Sequence, residues 1–162
     1  MAVDPLLSFF VQGRPVPAGS KSPFVFRSRG GEPMRRPGGS IACGVRDSSG
    51  TRLDEWRRTC AGVARQAWPN EPIEGALRVT MIFHRRRPAS HYRANGEMHR
   101  YPVTRPDALK LARAVEDALT GIIWLDDAQI VEEHLTKRWS DEEGVHVTVD
   151  PTGGHRLLGA SR

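Results

Sequence analysis

Leu77, Val79, Met81 and Phe83 alternate with Arg78, Thr80 and Ile82, the period of a strand with one buried face. Ala76 to His84 is therefore read as a strand, and Leu6 to Gln12 and Val145 to Asp150 as two more. Around Asp54 to Trp68 the spacing changes. Leu53, Trp56, Cys60, Val63, Ala64 and Ala67 recur at intervals of three and four, which predicts a helix with Thr51 or Asp54 at its start and Pro69 beyond its end. A second helix is expected over Ala108 to Leu119, with the stripe Leu111, Ala112, Val115 and Leu119, closed by Gly121. Ile122 to Leu125 is then expected to run extended, Asp126 and Asp127 to form a turn or bulge, and Ala128 to Trp139 to continue as a strand.

The connections are distinctive. Gly13 to Phe24, GRPVPAGSKSPF, carries three prolines and two glycines and reads as a loop. It resembles a phosphate loop only in outline, because Ser20 separates Gly19 from Lys21. Arg27 to Gly50 is rich in Gly, Pro, Ser and Arg and reads as a long basic loop, with strand character near Ile41 to Cys43. Residues 89 to 104 form another basic loop, with His91, Tyr92, His99, Arg100 and Tyr101. No repeat is evident. The order predicts a mixed α/β (α+β) domain over residues 1–150, with a largely antiparallel sheet, two main helices and basic loops at 27–50 and 88–104. A flexible tail is expected at 151–162.

Composition adds asymmetry. Residues 1–105 hold 18 Lys and Arg against 8 Asp and Glu, whereas residues 106–162 hold 6 against 11. Arginine dominates, with 21 Arg to 3 Lys. One surface thus suits a polyanion and another suits cations, although solvated basic faces explain such a count as well. Cys43 and Cys60 form neither a zinc ribbon nor a disulfide framework and suit reduced thiols in a cytosol. The run Leu6 to Val11 is too short to span a membrane, so no membrane role is expected.

The carboxylates between Asp107 and Asp127 are the candidate chemistry. The second helix is about 18 Å long, and six extended residues after it span at most about 20 Å. A returning chain could therefore carry Asp126 and Asp127 back to Asp107 at the helix start. Oxygen ligands gathered there suit Mg²⁺, which can activate water and stabilise a phosphodiester attack. Each residue also has a plainer role open to it. Asp107 suits a helix cap, Asp126 and Asp127 suit a turn, and Lys110, Arg113, Glu116 and Asp117 suit a solvated helix face.

The stretch RPDALKLARAVEDALTGIIWLDDAQIVEEHLTKRW, Arg105 to Trp139, resembles the RusA-type Holliday junction resolvases, in style nearest the phage and prophage branch. Arg105, Pro106, Asp107, Lys110, Leu111, Arg113, Ala114, Asp117, Ala118 and Leu119 carry the first half of the pattern. Asp126, Asp127, Gln129 and Ile130 carry the second. The resemblance implies a homodimer in a bacterial cytoplasm, phage or prophage encoded, that nicks four-way or branched DNA symmetrically with Mg²⁺ or Mn²⁺. It implies metal ligation by Asp107 and Asp127 with Asp126 beside them, and catalytic assistance from Arg113, where the family usually has lysine, and from Lys110. Lys21, Arg85, Arg86, Arg87 and Arg105 are expected to hold DNA. One departure stands out, since the family's second aspartate falls at Leu109, which cannot ligate a metal. Beside the active nuclease stand a junction-binding protein without catalysis and, in a different class, a basic module for RNA or a protein partner.

Overall fold

The computed structural model describes residues 5–19, 21–47, 50–89 and 101–152. His91, Tyr92, His99, Arg100 and nearly all of the expected tail lie outside the described residues. Eight principal elements follow in chain order: β1 (Leu7–Gln12), β2 (Lys21–Val25), β3 (Cys43–Asp47), α1 (Gly50–Ala67), β4 (Leu77–Arg85), α2 (Ala108–Leu119), β5 (Ile130–Trp139) and β6 (Gly144–Pro151).

The main sheet has the order β1-β6-β4-β5, and β2 and β3 pair separately. β6 lies antiparallel to both β1 and β4, while β4 and β5 run parallel. The parallel pair follows from α2, which supplies the crossover that two parallel strands need. This is the expected mixed fold, with two main helices and a largely antiparallel sheet.

The period-two pattern decides which face is covered. Leu77, Val79, Met81 and Phe83 are buried, as are Leu7, Phe9 and Val11 of β1 and Val145, Val147 and Val149 of β6. Leu53, Trp56, Cys60 and Ala64 of α1 join Leu111, Ala112, Val115 and Leu119 of α2 in the same core. The helices therefore pack on one side of the sheet. Arg57 of α1 forms an ion pair with Asp117 of α2, so Asp117 ties the helices together rather than merely facing water.

Three expectations are corrected. First, part of the proline-rich loop and part of the basic loop are strands, because Lys21 to Val25 pairs in antiparallel register with Asp47 to Cys43. Pro23 is tolerated there because the pair is a two-stranded ribbon with free edges. Second, α1 starts at Gly50, so both Thr51 and Asp54 lie inside the helix rather than at its cap. Third, the chain turns at the end of α2 instead of extending. Gly121 adopts φ of 78°, Ile122 and Ile123 donate back to the Leu119 carbonyl, and Ile123 and Trp124 are fully buried. Trp124 Nε1 also donates to Thr120 Oγ1 at 3.1 Å. Burying that indole at the helix end forces a compact turn, and β5 begins only at Ile130. At the other end, Pro151 belongs to β6 and Thr152 donates to Ala76 O, so the strand runs past the expected start of the tail.

Candidate functional site

β5 returns antiparallel to α2, and its alternation sets three side chains against the helix. Glu133, Leu135 and Lys137 are register partners of Val79, Met81 and Phe83, whose side chains face the helical layer. Four strand residues cover about 13 Å, and the nine helical steps from Asp107 to Glu116 cover about 14 Å. The two lengths match. Lys137 consequently meets the start of α2 and Glu133 meets Glu116.

At the start of α2, Lys137 Nζ donates to Thr104 O at 2.9 Å and to Pro106 O at 3.1 Å. Arg85 Nη1 donates to Arg105 O at 2.7 Å. Two cations thus fix the backbone that delivers Asp107, across a cis Arg105–Pro106 bond. Asp107 occupies the N-cap position but makes no side-chain capping bond. Its exposed carboxylate forms an ion pair with Lys110 at 3.7 Å. The plain capping role is therefore not what its side chain does, and its charge remains free for a ligand. Burial pulls the Lys137 ammonium below its usual value, helped by Arg85 and opposed by Asp107. Burial does the same to Arg85, helped by Arg14.

Around Asp107 opens a cleft of about 660 Å³ lined by Arg14, Arg52, Arg85, Arg105, Lys110 and the Pro15–Pro17 segment. The first loop is held against the helix by Ala18 N donating to Lys110 O at 2.8 Å. On the far side of Lys110 lies a groove of about 530 Å³, lined by Gly19, Leu109, Arg113, Glu116 and Glu133 among others. Leu109 is 71% exposed in that wall. Spacings of four and three place Leu109, Arg113 and Glu116 on one helix face.

The Asp126–Asp127 pair sits at the opposite end. Asp126 caps a single 3-10 turn, Asp127–Gln129, by accepting from Ala128 N at 2.8 Å. Gln129 locks the turn. Its Oε1 accepts from Leu125 N and Asp126 N, and its Nε2 donates to Ile73 O and Gly75 O. Asp127 lies near Glu116, whose carboxyl is pushed up to about 8 by burial, a hydrogen bond with Glu133 and repulsion from Glu133, Asp127 and Asp117. The structure therefore gathers Asp127 with Glu116 and Glu133, about two and a half helical turns along α2 from Asp107. The returning chain brings Lys137, not the aspartate pair, to the helix start.

Among the described residues, no three His, Cys, Asp or Glu side chains form a ready cation cage. Mg²⁺ seldom uses one; it takes one or two carboxylates, waters and substrate phosphate oxygens. Asp107, exposed beside an arginine-lined cleft, fits that mode. Of the other expected DNA contacts, Arg85 and Arg105 line the cleft. Arg86 leans on the β5–β6 connection through Asp141 O, and Arg87 lies 5.5 Å over the Trp139 ring. Sequence reading missed Arg14, Arg52, Lys137 and Glu133. For the last two, the alternation Glu133, Leu135, Lys137 was the available signal.

The chain is thus a mixed α/β domain with both helices on one side of the sheet and an arginine-walled cleft beside an exposed carboxylate at a helix start. The family described as Endodeoxyribonuclease RusA matches residues 32–150, and the chain belongs to it, a family of Holliday-junction-resolving nucleases. A relative in Bacillus subtilis (strain 168), "Uncharacterized protein YqaN", is 30% identical over 130 residues, covering 74% of this chain and 90% of that protein. No helix among the described residues is long and apolar enough to cross a membrane.

Proposed function

We propose that the protein is a dimeric, divalent-metal-dependent endonuclease that resolves four-way or branched DNA by paired nicks. One observation carries the reading: Asp107, uncapped and exposed, lies in a cleft walled by Arg14, Arg52, Arg85, Arg105 and Lys110. Those cations receive the phosphates and release counterions as they do so. Arg85 and Lys137 hold the 104–106 backbone, which keeps Asp107 in place as DNA enters. Lys110 and Arg113 face the scissile phosphate from the helix. Asp107 is the proposed metal carboxylate at the cleft; Asp127, the second metal aspartate that the resemblance implies, stands beside Glu116 and Glu133, too far along α2 to share that ion, with Asp126 shaping the turn beside it. Bound Mg²⁺ or Mn²⁺ would supply an activated water and charge neutralisation at the phosphate.

The test is nicking of a synthetic four-way junction in Mg²⁺, in Mn²⁺ and in chelator. Symmetric nicks are expected with either metal and none with chelator. A folded, junction-binding protein that cuts in neither metal refutes the enzyme. Asp107→Asn should abolish nicking while sparing binding.

The exposure of Leu109 favours a second reading, a junction binder without catalysis. A leucine open to solvent on the face of Arg113 stands where the family expects an aspartate. Under that reading, cleavage is absent from the wild type and appears in Leu109→Asp.

A further inference from the structure

The segment between β2 and β3 has no counterpart in the catalytic reading, yet it is built to a plan. Its residues fall into two octads, FRSRGGEP (26–33) and MRRPGGSI (34–41), and the structure makes them equivalent. Arg27 Nη1 donates to Gly31 O at 2.7 Å, and Arg35 Nη1 donates to Gly39 O at 2.6 Å. Ser28 N donates to Glu32 O and Gly31 N to Ser28 O; Arg36 N donates to Ser40 O and Gly39 N to Arg36 O. The bridges Arg27–Pro33 and Arg35–Ile41 close the two turns. Gly31 and Gly39 hold φ of 83° and 86°, a conformation that favours glycine.

The two turns share one stem. Phe26 N donates to Ala42 O, Ala42 N to Met34 O and Met34 N to Phe26 O, a closed ring of three backbone bonds. Phe24 and Phe26 pack edge to face at 4.9 Å over Gly44, where an added Cβ would meet the Phe24 ring at 2.9 Å. The arm is thus ordered by its own contacts, although residues 25–41 are all exposed.

Each turn presents two guanidinium groups. One is tied to its own glycine carbonyl, Arg27 or Arg35, and one is not, Arg29 or Arg36. A guanidinium has five N–H donors, so the tied pair keeps most of its capacity and has already lost conformational freedom. Such preorganisation lowers the cost of binding. Residues 22–45 hold these four arginines and a single acid, Glu32. Among the described residues no carboxylate forms an ion pair with any of the four. The arm also springs from the rim of the cleft, because Pro17 precedes it, Arg52 follows it, and both line the cleft. Four paired steps of β2 and β3 carry its turns about 14 Å outward.

We infer that residues 26–42 form a two-turn clamp for the phosphates of one duplex arm leaving the cleft, gripped by Arg27 and Arg29 in one turn and Arg35 and Arg36 in the other. The inference rests on the reading of the cleft as a DNA site. Its test is titration of a fluorescent four-way junction in chelator, from 50 to 200 mM NaCl, with the wild type, Arg29→Ala/Arg36→Ala, Arg29→Lys/Arg36→Lys and the charge-matched control Arg58→Ala/Arg65→Ala. Loss of two phosphate contacts makes the slope of log affinity against log salt shallower by about 1.8. The wild type's advantage over the alanine pair then shrinks about twelvefold across that salt range. The lysine pair should restore the slope, and the α1 control should keep it. An alanine pair that binds with wild-type slope and affinity, or a control that loses as much, overturns the clamp and leaves the cleft reading standing. A wild type that binds no junction overturns both.

Discussion

Replacing Gln129 by alanine removes a side chain that bridges the Asp126–Asp127 turn to the segment leading into β4. Four hydrogen bonds go with it: Oε1 loses Leu125 N at 2.8 Å and Asp126 N at 3.1 Å, and Nε2 loses Ile73 O at 2.9 Å and Gly75 O at 3.0 Å. Each is worth roughly 0.5–1.5 kcal/mol net. Water can reach several of the freed groups, since the site is only half-buried, so the total falls towards the low end, at about 2–3 kcal/mol. For a chain of this size that is a fall in Tm of roughly 4–12 °C. Urea unfolding should show a lower midpoint at unchanged slope, because the surface exposed on unfolding is nearly the same. Gln129→Glu is the sharper variant. It keeps acceptors for Leu125 and Asp126 but turns a carboxylate towards the Ile73 and Gly75 carbonyls, so it should cost at least as much at pH 7. A Gln129→Ala protein within 0.5 kcal/mol of wild type would refute the assignment of this glutamine as the lock of the turn.

Lys137→Met keeps the aliphatic stem but leaves Thr104 O and Pro106 O without their donor; junction nicking should fall by about tenfold or more (roughly the 1.4 kcal/mol that one misplaced group costs), with Lys137→Arg recovering part, as single-turnover assays will show. Glu116, with its carboxyl raised to about 8, holds a proton in the folded state that the unfolded chain releases near its ordinary value, so stability should be lost as pH rises from about 4.5 to 8. Discounted for partial exposure, the loss is on the order of 1–2 kcal/mol; Glu116→Gln should remove it, and parallel melting curves for both proteins at pH 4.5 and 8.5 would contradict the raised Glu116 carboxyl. Cys60 is fully buried and its thiol is pushed up to about 12 by burial, whereas Cys43 is exposed; Ellman's reagent should titrate one thiol quickly in the native protein and a second only in denaturant.

Periodic segments were legible in the sequence because burial is one-sided. The alternation from Leu77 to Phe83 gave β4 its face, and the stripe from Leu111 to Leu119 gave α2 its limits. What was not legible depended on partners far along the chain. Proline and glycine between residues 13 and 50 read as loop, yet Lys21–Val25 finds Cys43–Asp47 across an intervening pair of turns, and their repeat is carried by backbone bonds more than by residue identity. The compact turn after α2 depended on Trp124 finding space beneath the helix end, which no local pattern announces. That single packing event placed Asp127 beside Glu116 instead of Asp107, and so decided which acids can act together.

The family motif now divides by use. Asp117 is spent on Arg57, Asp126 on Ala128 N, and Gln129 on four backbone groups; their loss should be felt as instability, because each leaves a partner unsatisfied. Asp107, Lys110 and Arg113 hold no such post. All three are exposed, and the weak Asp107–Lys110 contact contributes little. Motif residues that do not support the fold are the ones available to a substrate. A survey of variants across Arg105 to Gln129 that measures stability and nicking separately should therefore split the motif along this line. Asp107, Lys110 and Arg113 variants should keep their Tm while losing activity, and Asp117, Asp126 and Gln129 variants should lose both. A destabilised Asp107→Asn protein, or a fully stable Gln129→Ala protein, would break the division.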